Sequence, residues 1–164
     1  MQRPVEGDKR AEGSSQDTDD RLRKIRSALQ NEIAQGLAEV EKDGDKIIIR
    51  LGQQDSFSSG SADLRVSFEG TLSSVGAAIN DVGGIIRVEG HTDNVPIGFS
   101  ERFKSNWDLS SARSASVANY IIDNTGLEPG RLSIAGFADS KPIETNDTSA
   151  GRARNRRIEV IVDG

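Results

Sequence analysis

Two charged residues of opposite sign stand out because of where the predicted elements place them. Asp93 lies in the run GHTDN (residues 90–94) at the end of a predicted strand, and Arg113 lies early in a predicted helix, just after the run SNWDLS (residues 105–110). A carboxylate can hold an ammonium group, whereas a guanidinium can hold a carboxylate through two parallel hydrogen bonds, which lysine cannot do. From these residues alone, surface charges or an ordinary ion pair are the more typical interpretation.

A third polar segment lies near the end of the chain, where NDT (residues 146–148) precedes GRARNRRIE (residues 151–159). Its arginines resemble a nucleic-acid patch. The net charge of 21 − 26 = −5 argues against such a partner, because affinity for nucleic acid comes largely from neutralising phosphates. We therefore predict no nucleic-acid binding and expect these arginines to pair with carboxylates, with Arg156 nearest to any ligand.

Composition excludes several kinds of catalytic chemistry. The 164 residues include no cysteine and one histidine, which excludes disulfides, thiolate metal sites, cysteine catalysis and a multi-histidine metal site. His91 beside Glu89 or Asp93 could act in acid–base catalysis, but we favour a structural hydrogen bond across the loop. Trp107 could stack on a sugar, but we favour a core or loop anchor. We predict no enzyme activity, no metal and no cofactor.

Alternating strands and helices must position these residues. Short apolar runs predict strands over residues 46–51, 85–90, 131–136 and 158–162, and apolar stripes predict helices over residues 66–82 and 109–124. Residues 53–65 and 138–157 are expected to be mostly loop, with a helical turn near residues 149–154. This order predicts an α/β (α+β) sandwich, with a mixed four-stranded sheet and helices packed on one face.

The chain before residue 45 has a different character. Residues 1–20 are nearly all polar, which predicts a flexible tail or linker. Residues 21–42 carry apolar residues at steps of three and four, which predicts an amphipathic linker helix, and the main domain is expected over residues 45–164. No apolar run approaches the roughly 18 residues of a membrane span, and the first residues lack the apolar stretch of a signal peptide.

Three motifs, in this order, resemble the OmpA-like peptidoglycan-binding domain. They are GHTD (residues 90–93), NWDLSSAR (residues 106–113) and the tail NDT…GRARNRRIE, and the resemblance covers residues 46–162. Ser114 stands where the family usually has alanine. The insertion NVPIGFSERFK (residues 94–104) and the form SNWDLS look most similar to the flagellar stator B subunits of the MotB/PomB group.

The resemblance implies a site for the diaminopimelate end of the peptidoglycan stem peptide, which carries both an ammonium and a carboxylate. Asp93 would hold the ammonium and Arg113 the carboxylate, and both charges persist near neutral pH. The remaining implied site residues would position or border this ligand: Asn106, Thr92, Leu109, Asn155 and Arg156.

The resemblance also implies a place in the cell. A stator B subunit would anchor the motor to the cell wall from the periplasm, as a homodimer, and one N-terminal helix would tether it to the inner membrane and to the stator A subunit. That helix is not in this sequence, so we expect the chain to be a periplasmic piece. Periplasmic flagellar ring proteins are a further candidate partner.

Two other functions stay open from the sequence. One is a cell-wall anchor of a lipoprotein or outer-membrane protein of the same superfamily, and the other is a cell-wall hydrolase. The sequence does not determine the coupling ion, the stem-peptide specificity, the dimer interface or whether the chain binds peptidoglycan unaided. It also leaves open whether the helix at residues 21–42 packs on the domain, acts as a switch or forms a dimer contact.

Overall fold

The computed structural model describes residues 4–97 and 102–164, without the side chains of residues 4–15 and 54. Its sheet has five strands in the order β1-β2-β5-β3-β4. They are β1 (Glu39–Asp43), β2 (Lys46–Gly52), β3 (Ile85–His91), β4 (Leu132–Gly136) and β5 (Arg157–Asp163). The β3–β4 pair is parallel and the other three pairs are antiparallel. The predicted mixed sheet is therefore confirmed, but the predicted number of four strands is wrong because β1 was missed.

Six α-helices accompany the sheet in the described residues. They are α1 (Pro4–Ala28), α2 (Gln30–Ala34), α3 (Gln53–Ser56), α4 (Glu69–Val82), α5 (Asn106–Thr125) and α6 (Ser149–Asn155). Short 3-10 helices occupy Val66–Phe68 and Pro129–Arg131. None of the described helices is both long and apolar enough to cross a membrane.

The core lies between one face of the sheet and the helices. Alternate residues of the strands, such as Ile49, Val88 and Val160, are fully buried against Leu72 of α4 and Ile121 of α5. Alternation follows from the strand period of two, which sends successive side chains to opposite faces. The opposite face of the central strands therefore carries a different, largely charged set of residues.

The start of the chain differs from its predictions. Residues 1–20 were expected to be a flexible tail, but α1 begins at Pro4 and runs without a break to Ala28; residues 1–3 lie outside the described residues. The polar residues of this stretch cannot build a core, but many of them, including glutamate, lysine, arginine and glutamine, are good helix formers. Their helix continues upstream from Ile25 and Leu29, which are fully buried in the core.

The predicted single helix over residues 21–42 is also wrong. Helical structure ends after α2, where Gly36 adopts a φ of 75° and Leu37 donates its backbone N–H to the carbonyl of Glu32 at 2.9 Å. This left-handed glycine cap is a common helix terminator. The chain then forms β1, which pairs with β2 across a tight turn at Gly44, so the sheet begins before residue 45. The sheet therefore extends across the predicted boundary at residues 42–45, and how the chain divides into domains stays a prediction.

Candidate functional site

One cavity of about 460 Å³ lies at the end of the sheet where β3 and α5 meet. Its walls come from the segment that begins with α3, the loop after β3, the start of α5 and the residue between α6 and β5. The close approach of β3 and α5 depends on Gly90, since a Cβ there would lie 2.3 Å from the carbonyl oxygen of Ser110. Ser114, which replaces the usual alanine, uses its hydroxyl to donate to the carbonyl of Ala135 at 2.9 Å.

The side chain of Asp93 is fixed at the cavity wall. Its Oδ1 accepts the backbone N–H of Val95 at 3.0 Å, and its Oδ2 accepts Nη1 of Arg156 at 2.6 Å. Thr92 holds the preceding backbone, because its N–H donates to the carbonyl of Ala138 at 2.8 Å. A carboxylate offers about four lone-pair sites, so Asp93 retains acceptor capacity for a ligand.

Arg113 is 5% exposed and is held by three hydrogen bonds. Its Nε donates to the carbonyl of Ser61 at 2.7 Å, its Nη2 donates to the carbonyl of Ser58 at 3.0 Å, and its Nη1 donates to the side-chain oxygen of Gln53. Its guanidinium lies 4.9 Å from the ring centre of Phe57. Since a guanidinium has five N–H groups, one on each terminal nitrogen is left for a ligand.

Burial and, as a smaller cause, the nearby charge of Arg156 together lower the pKa of Arg113 to about 10. The group is still protonated at neutral pH. Within the described residues it has no carboxylate partner at salt-bridge distance, so its charge is compensated only by carbonyl and amide oxygens. A buried cation in that situation favours an anionic ligand.

Gln53 was not predicted from the sequence, yet it connects the two halves of the site. Its Nε2 donates to the carbonyl of His91 at 2.6 Å and to that of Arg157 at 2.8 Å. These two bonds orient the amide so that its oxygen points to Arg113. Its place two residues after the predicted strand over residues 46–51, similar to that of Thr92 and Asp93 after the strand over residues 85–90, is the signal that could have indicated it.

The cavity brings together all but one of the predicted site residues. Asn106 lines it and donates Nδ2 to the carbonyl of Val95 at 3.0 Å, which ties the start of α5 to the loop after β3. Leu109 supplies an apolar wall and is 4% exposed. The other predicted residues in the lining are Thr92, Asp93, Arg113 and Arg156.

Asn155 lies outside the cavity lining and is fully buried. Its Oδ1 accepts the backbone N–H groups of Ile143 and Glu144 at 2.8 and 2.9 Å. Its Nδ2 donates to the carbonyl of Glu144 at 2.9 Å and to Oδ1 of Asn146 at 2.8 Å. All four bonds hold the loop before α6, so in this structure Asn155 has no group free to face a ligand.

Most of the clustered arginines pair with carboxylates, as predicted. Arg154 bonds Glu39, Arg156 bonds Asp93, and Arg157 bonds Glu159. The remaining one, Arg152, instead donates to the carbonyl of Asn146 and to the hydroxyl of Ser149.

Trp107 is 53% exposed and does not line the cavity. Its interpretation as a core anchor is therefore wrong. Its position at the start of α5 explains the exposure, because the buried face of that helix is formed by other residues, such as Leu109, Val117 and Ile121.

His91 also lies outside the cavity, on the charged face of the sheet. Its Nε2 is 3.4 Å from Oε1 of Glu89 and 4.0 Å from Oε1 of Glu159, and its ring stacks on Phe137. These three titratable residues place potential metal ligands within 4.8 Å of one another. Their carboxylates are already engaged by arginines, however, which favours an ion-pair network over a cation site.

Comparison with known proteins identifies the family to which the chain belongs. The OmpA family matches residues 56–156, which is more than half of the chain. Motility protein B of Bacillus subtilis (strain 168) is 35% identical over 127 residues, which cover 76% of this chain and 48% of that protein. The chain spans about half the length of the curated relatives it matches.

Two solved structures are similar over most of their length. A putative MotB-like protein from Desulfovibrio vulgaris matches with a TM-score of 0.81 and 27% identity, over 93% of this chain and 91% of that one. The cell wall anchor of the T6SS from Pseudomonas aeruginosa matches with a TM-score of 0.80 and 36% identity, over 85% and 96% respectively. The predicted similarity to the MotB periplasmic region is confirmed, and the chain belongs to the OmpA family.

Proposed function

We propose that this chain is a non-catalytic peptidoglycan-binding domain that anchors a flagellar stator unit to the cell wall. The observation that carries the proposal is the shared cavity, in which Asp93 and Arg113 offer opposite charges to one small ligand. Its volume of about 460 Å³ lies within the usual range for small-molecule sites, roughly 300–1,000 Å³.

The diaminopimelate end of a stem peptide fits these charges. Its ammonium group would bind the remaining lone pairs of Asp93, and its carboxylate would accept the two unused N–H groups of Arg113. Phe57, Leu109 and Val95 give the cavity apolar wall area for the hydrocarbon chain between those two ends. Because Asp93 and Arg113 are already fixed by protein hydrogen bonds, binding orders few side chains and so costs little conformational entropy.

Binding without turnover agrees with the lining of the cavity. In its described part, Asp93 is the one carboxylate, and Arg156 holds it as an ion pair. His91, the sole histidine of the chain, is directed to the other face of the sheet. A hydrolase would need a nucleophile or an activated water beside a free base, so we assign the cavity to binding.

The stator role rests on the similarity to motility protein B and to the MotB-like structure. We infer a periplasmic domain that acts as a homodimer, joined through an N-terminal membrane helix of the full-length protein to the inner membrane and to a stator A subunit. The cell wall anchor of the T6SS is the relative that favours the second candidate, a wall anchor of another envelope protein of the superfamily. The upstream sequence separates the two, since a membrane helix with an ion-binding aspartate indicates a stator and a lipidated cysteine indicates a lipoprotein.

Retention on purified sacculi of the diaminopimelate type tests the binding function. We expect Asp93→Asn and Arg113→Lys to lose about tens- to thousands-fold in affinity, as when one partner of a desolvated charge pair is removed. Asp123→Asn, on the exposed side of α5, is the matched control and should bind as the wild type does. Thermal unfolding of each variant separates lost binding from lost fold, and equal retention of folded wild type, Asp93→Asn and Arg113→Lys would contradict the assignment.

A further inference from the structure

The charges of the cavity are not balanced by a ligand with one ammonium and one carboxylate. The charged residues in its described lining are Arg65, Asp93, Arg113 and Arg156. Asp93 and Arg156 form an ion pair and cancel. Arg113 and Arg65 then leave two positive charges, and a zwitterion adds no net charge of its own. This excess positive charge favours a ligand with a second anionic group.

Arg65 is the cation at this site that is not used by the protein. Its side chain makes no hydrogen bond or ion pair with the residues that the structure describes, and it is exposed at the rim of the cavity. Arg113, in contrast, is held by three hydrogen bonds, and Arg156 is held by Asp93. An arginine that stabilises the fold is normally engaged, as these two are.

The backbone of Arg65 is nevertheless fixed beside the cavity. Its N–H donates to the carbonyl of Ser56 at 2.8 Å, and its own carbonyl accepts the N–H of Phe68 at 2.9 Å. The neighbouring Leu64 pairs as an isolated β-bridge with Phe57, which lines the cavity. The backbone of Arg65 is thus fixed, and its exposed side chain lies at the cavity mouth.

We infer that Arg65 binds a second carboxylate of the stem peptide, that of the γ-linked glutamate preceding diaminopimelate. The inference rests on the proposed function. Arg113 lies buried at the wall and receives the terminal carboxylate of the ligand, whereas Arg65 lies at the rim, where the peptide leaves the cavity. A guanidinium suits this role because it can bind a carboxylate by two parallel hydrogen bonds.

Calorimetric titration with two synthetic stem peptides tests the inference. Both peptides contain diaminopimelate, and they differ only in whether the preceding glutamate carries a free carboxylate or an amide. We expect amidation to weaken binding to the wild type about five- to tenfold, as for a charge-assisted contact that stays partly in water. Arg65→Gln should lose the same factor with the free carboxylate and should lose nothing more on amidation, because the two changes remove one interaction.

Arg23→Gln is the matched control, since Arg23 is exposed on α1 and its described contact is with Asp20. It should bind both peptides as the wild type does. Unchanged binding of the free peptide by Arg65→Gln, or the same penalty for amidation in that variant as in the wild type, would overturn the inference while leaving the proposed function intact. If the wild type binds neither peptide, the proposed function and this inference both fail.

Discussion

Two groups of buried charges lie on the two sides of Gln53, and they differ in how fully they are satisfied. The ion-pair network on the outer face of the sheet centres on Glu159, whose Oε2 accepts from Arg50 at 3.0 Å and from Arg157 at 2.8 Å. The cavity holds Arg113, which has no carboxylate partner among the described residues and keeps two N–H groups unused. The comparison teaches that burial of charge does not by itself mark a binding site, whereas buried charge with spare hydrogen-bonding capacity does.

The pKa directions follow the same division. Burial alone would raise the pKa of Glu159, but its hydrogen bonds and ion pairs with Arg157 and Arg50 outweigh burial and lower it. For Arg113, burial and the charge of Arg156 lower the pKa to about 10, and no carboxylate of the described residues opposes the change. The charges of the network therefore compensate one another within the fold. The charge of Arg113 in the cavity is not compensated by a described carboxylate, so an anionic ligand can compensate it.

The largest expected effect comes from breaking the network. Glu159→Ala leaves the buried Arg157 without its carboxylate partner, whereas the half-buried Arg50 keeps Glu41. We expect the change to cost about 3–5 kcal/mol of unfolding free energy. Urea denaturation measures this loss. The fraction that remains folded should still bind sacculi, because Glu159 does not line the cavity. A loss below about 1 kcal/mol would show that the network contributes little.

A second change separates a structural residue from a binding one. Asn155→Ala removes the four hydrogen bonds that hold residues 143–146 and leaves buried backbone groups unpaired, at an expected cost of about 3 kcal/mol in stability. Affinity for the diaminopimelate peptide, measured on folded protein, should stay within about twofold of the wild type. A large loss of affinity with little loss of stability would restore Asn155 as a ligand contact.

Gln53 lies between the two groups and should affect both. Gln53→Met keeps the volume but removes the acceptor of Arg113 and the donor to the carbonyls of His91 and Arg157. We expect a loss of stability of about 1–2 kcal/mol and, because Arg113 is no longer oriented, an affinity about tenfold weaker.

Gln53→Glu provides the contrasting measurement. It keeps an acceptor that orients Arg113 but makes this acceptor a carboxylate, so Arg113 gains an ion-pair partner. Because that partner competes with the ligand's carboxylate, we expect affinity to fall at least as far as in Gln53→Met. Wild-type affinity in folded Gln53→Glu would contradict the claim that the uncompensated charge of Arg113 binds the ligand's carboxylate.

The smallest expected effect is on acid stability. Because the folded-state pKa of Glu159 is lowered, its contribution is fully present above the unfolded value, about 4.3, and is lost as pH falls through the lower folded value. The wild type should therefore lose stability below about pH 4 more steeply than Glu159→Gln does. Urea midpoints from pH 6 to pH 3 provide the comparison, and parallel curves would contradict this account of the network.

Elements defined by local sequence patterns could be predicted from the sequence, whereas elements that depend on distant contacts could not. Strands β2 to β5 and helices α4 and α5 were predictable because their apolar periodicity is local. Strand β1 was missed because Leu37 and Val40 continue a helical spacing, although Gly36 ends the helix. Nothing in residues 37–43 alone shows that they will pair with β2.

The same distinction holds for the site residues: those in recognisable motifs were predicted, and those placed by long-range contacts were missed. The motifs indicated Asp93 and Arg113, and the structure places both in one cavity. Gln53, Phe57 and Arg65 were missed because they lie in a stretch without periodicity, which was interpreted as loop. Their role depends on long-range contacts such as that of Gln53 with Arg113, 60 residues apart. Arg156 was one arginine among several, and only the fold pairs it with Asp93.

The most direct test removes the ligand's carboxylate and the protein's guanidinium separately and together. Calorimetry would compare a stem peptide ending in diaminopimelate with one ending in lysine, which keeps the side-chain ammonium but lacks the carboxylate on the same carbon, on the wild type and on Arg113→Lys. We predict that the wild type loses tens-fold or more in affinity for the lysine peptide, whereas folded Arg113→Lys binds both peptides weakly and about equally. Equal affinity of the wild type for the two peptides would contradict the claim that Arg113 and Asp93 together bind a zwitterion.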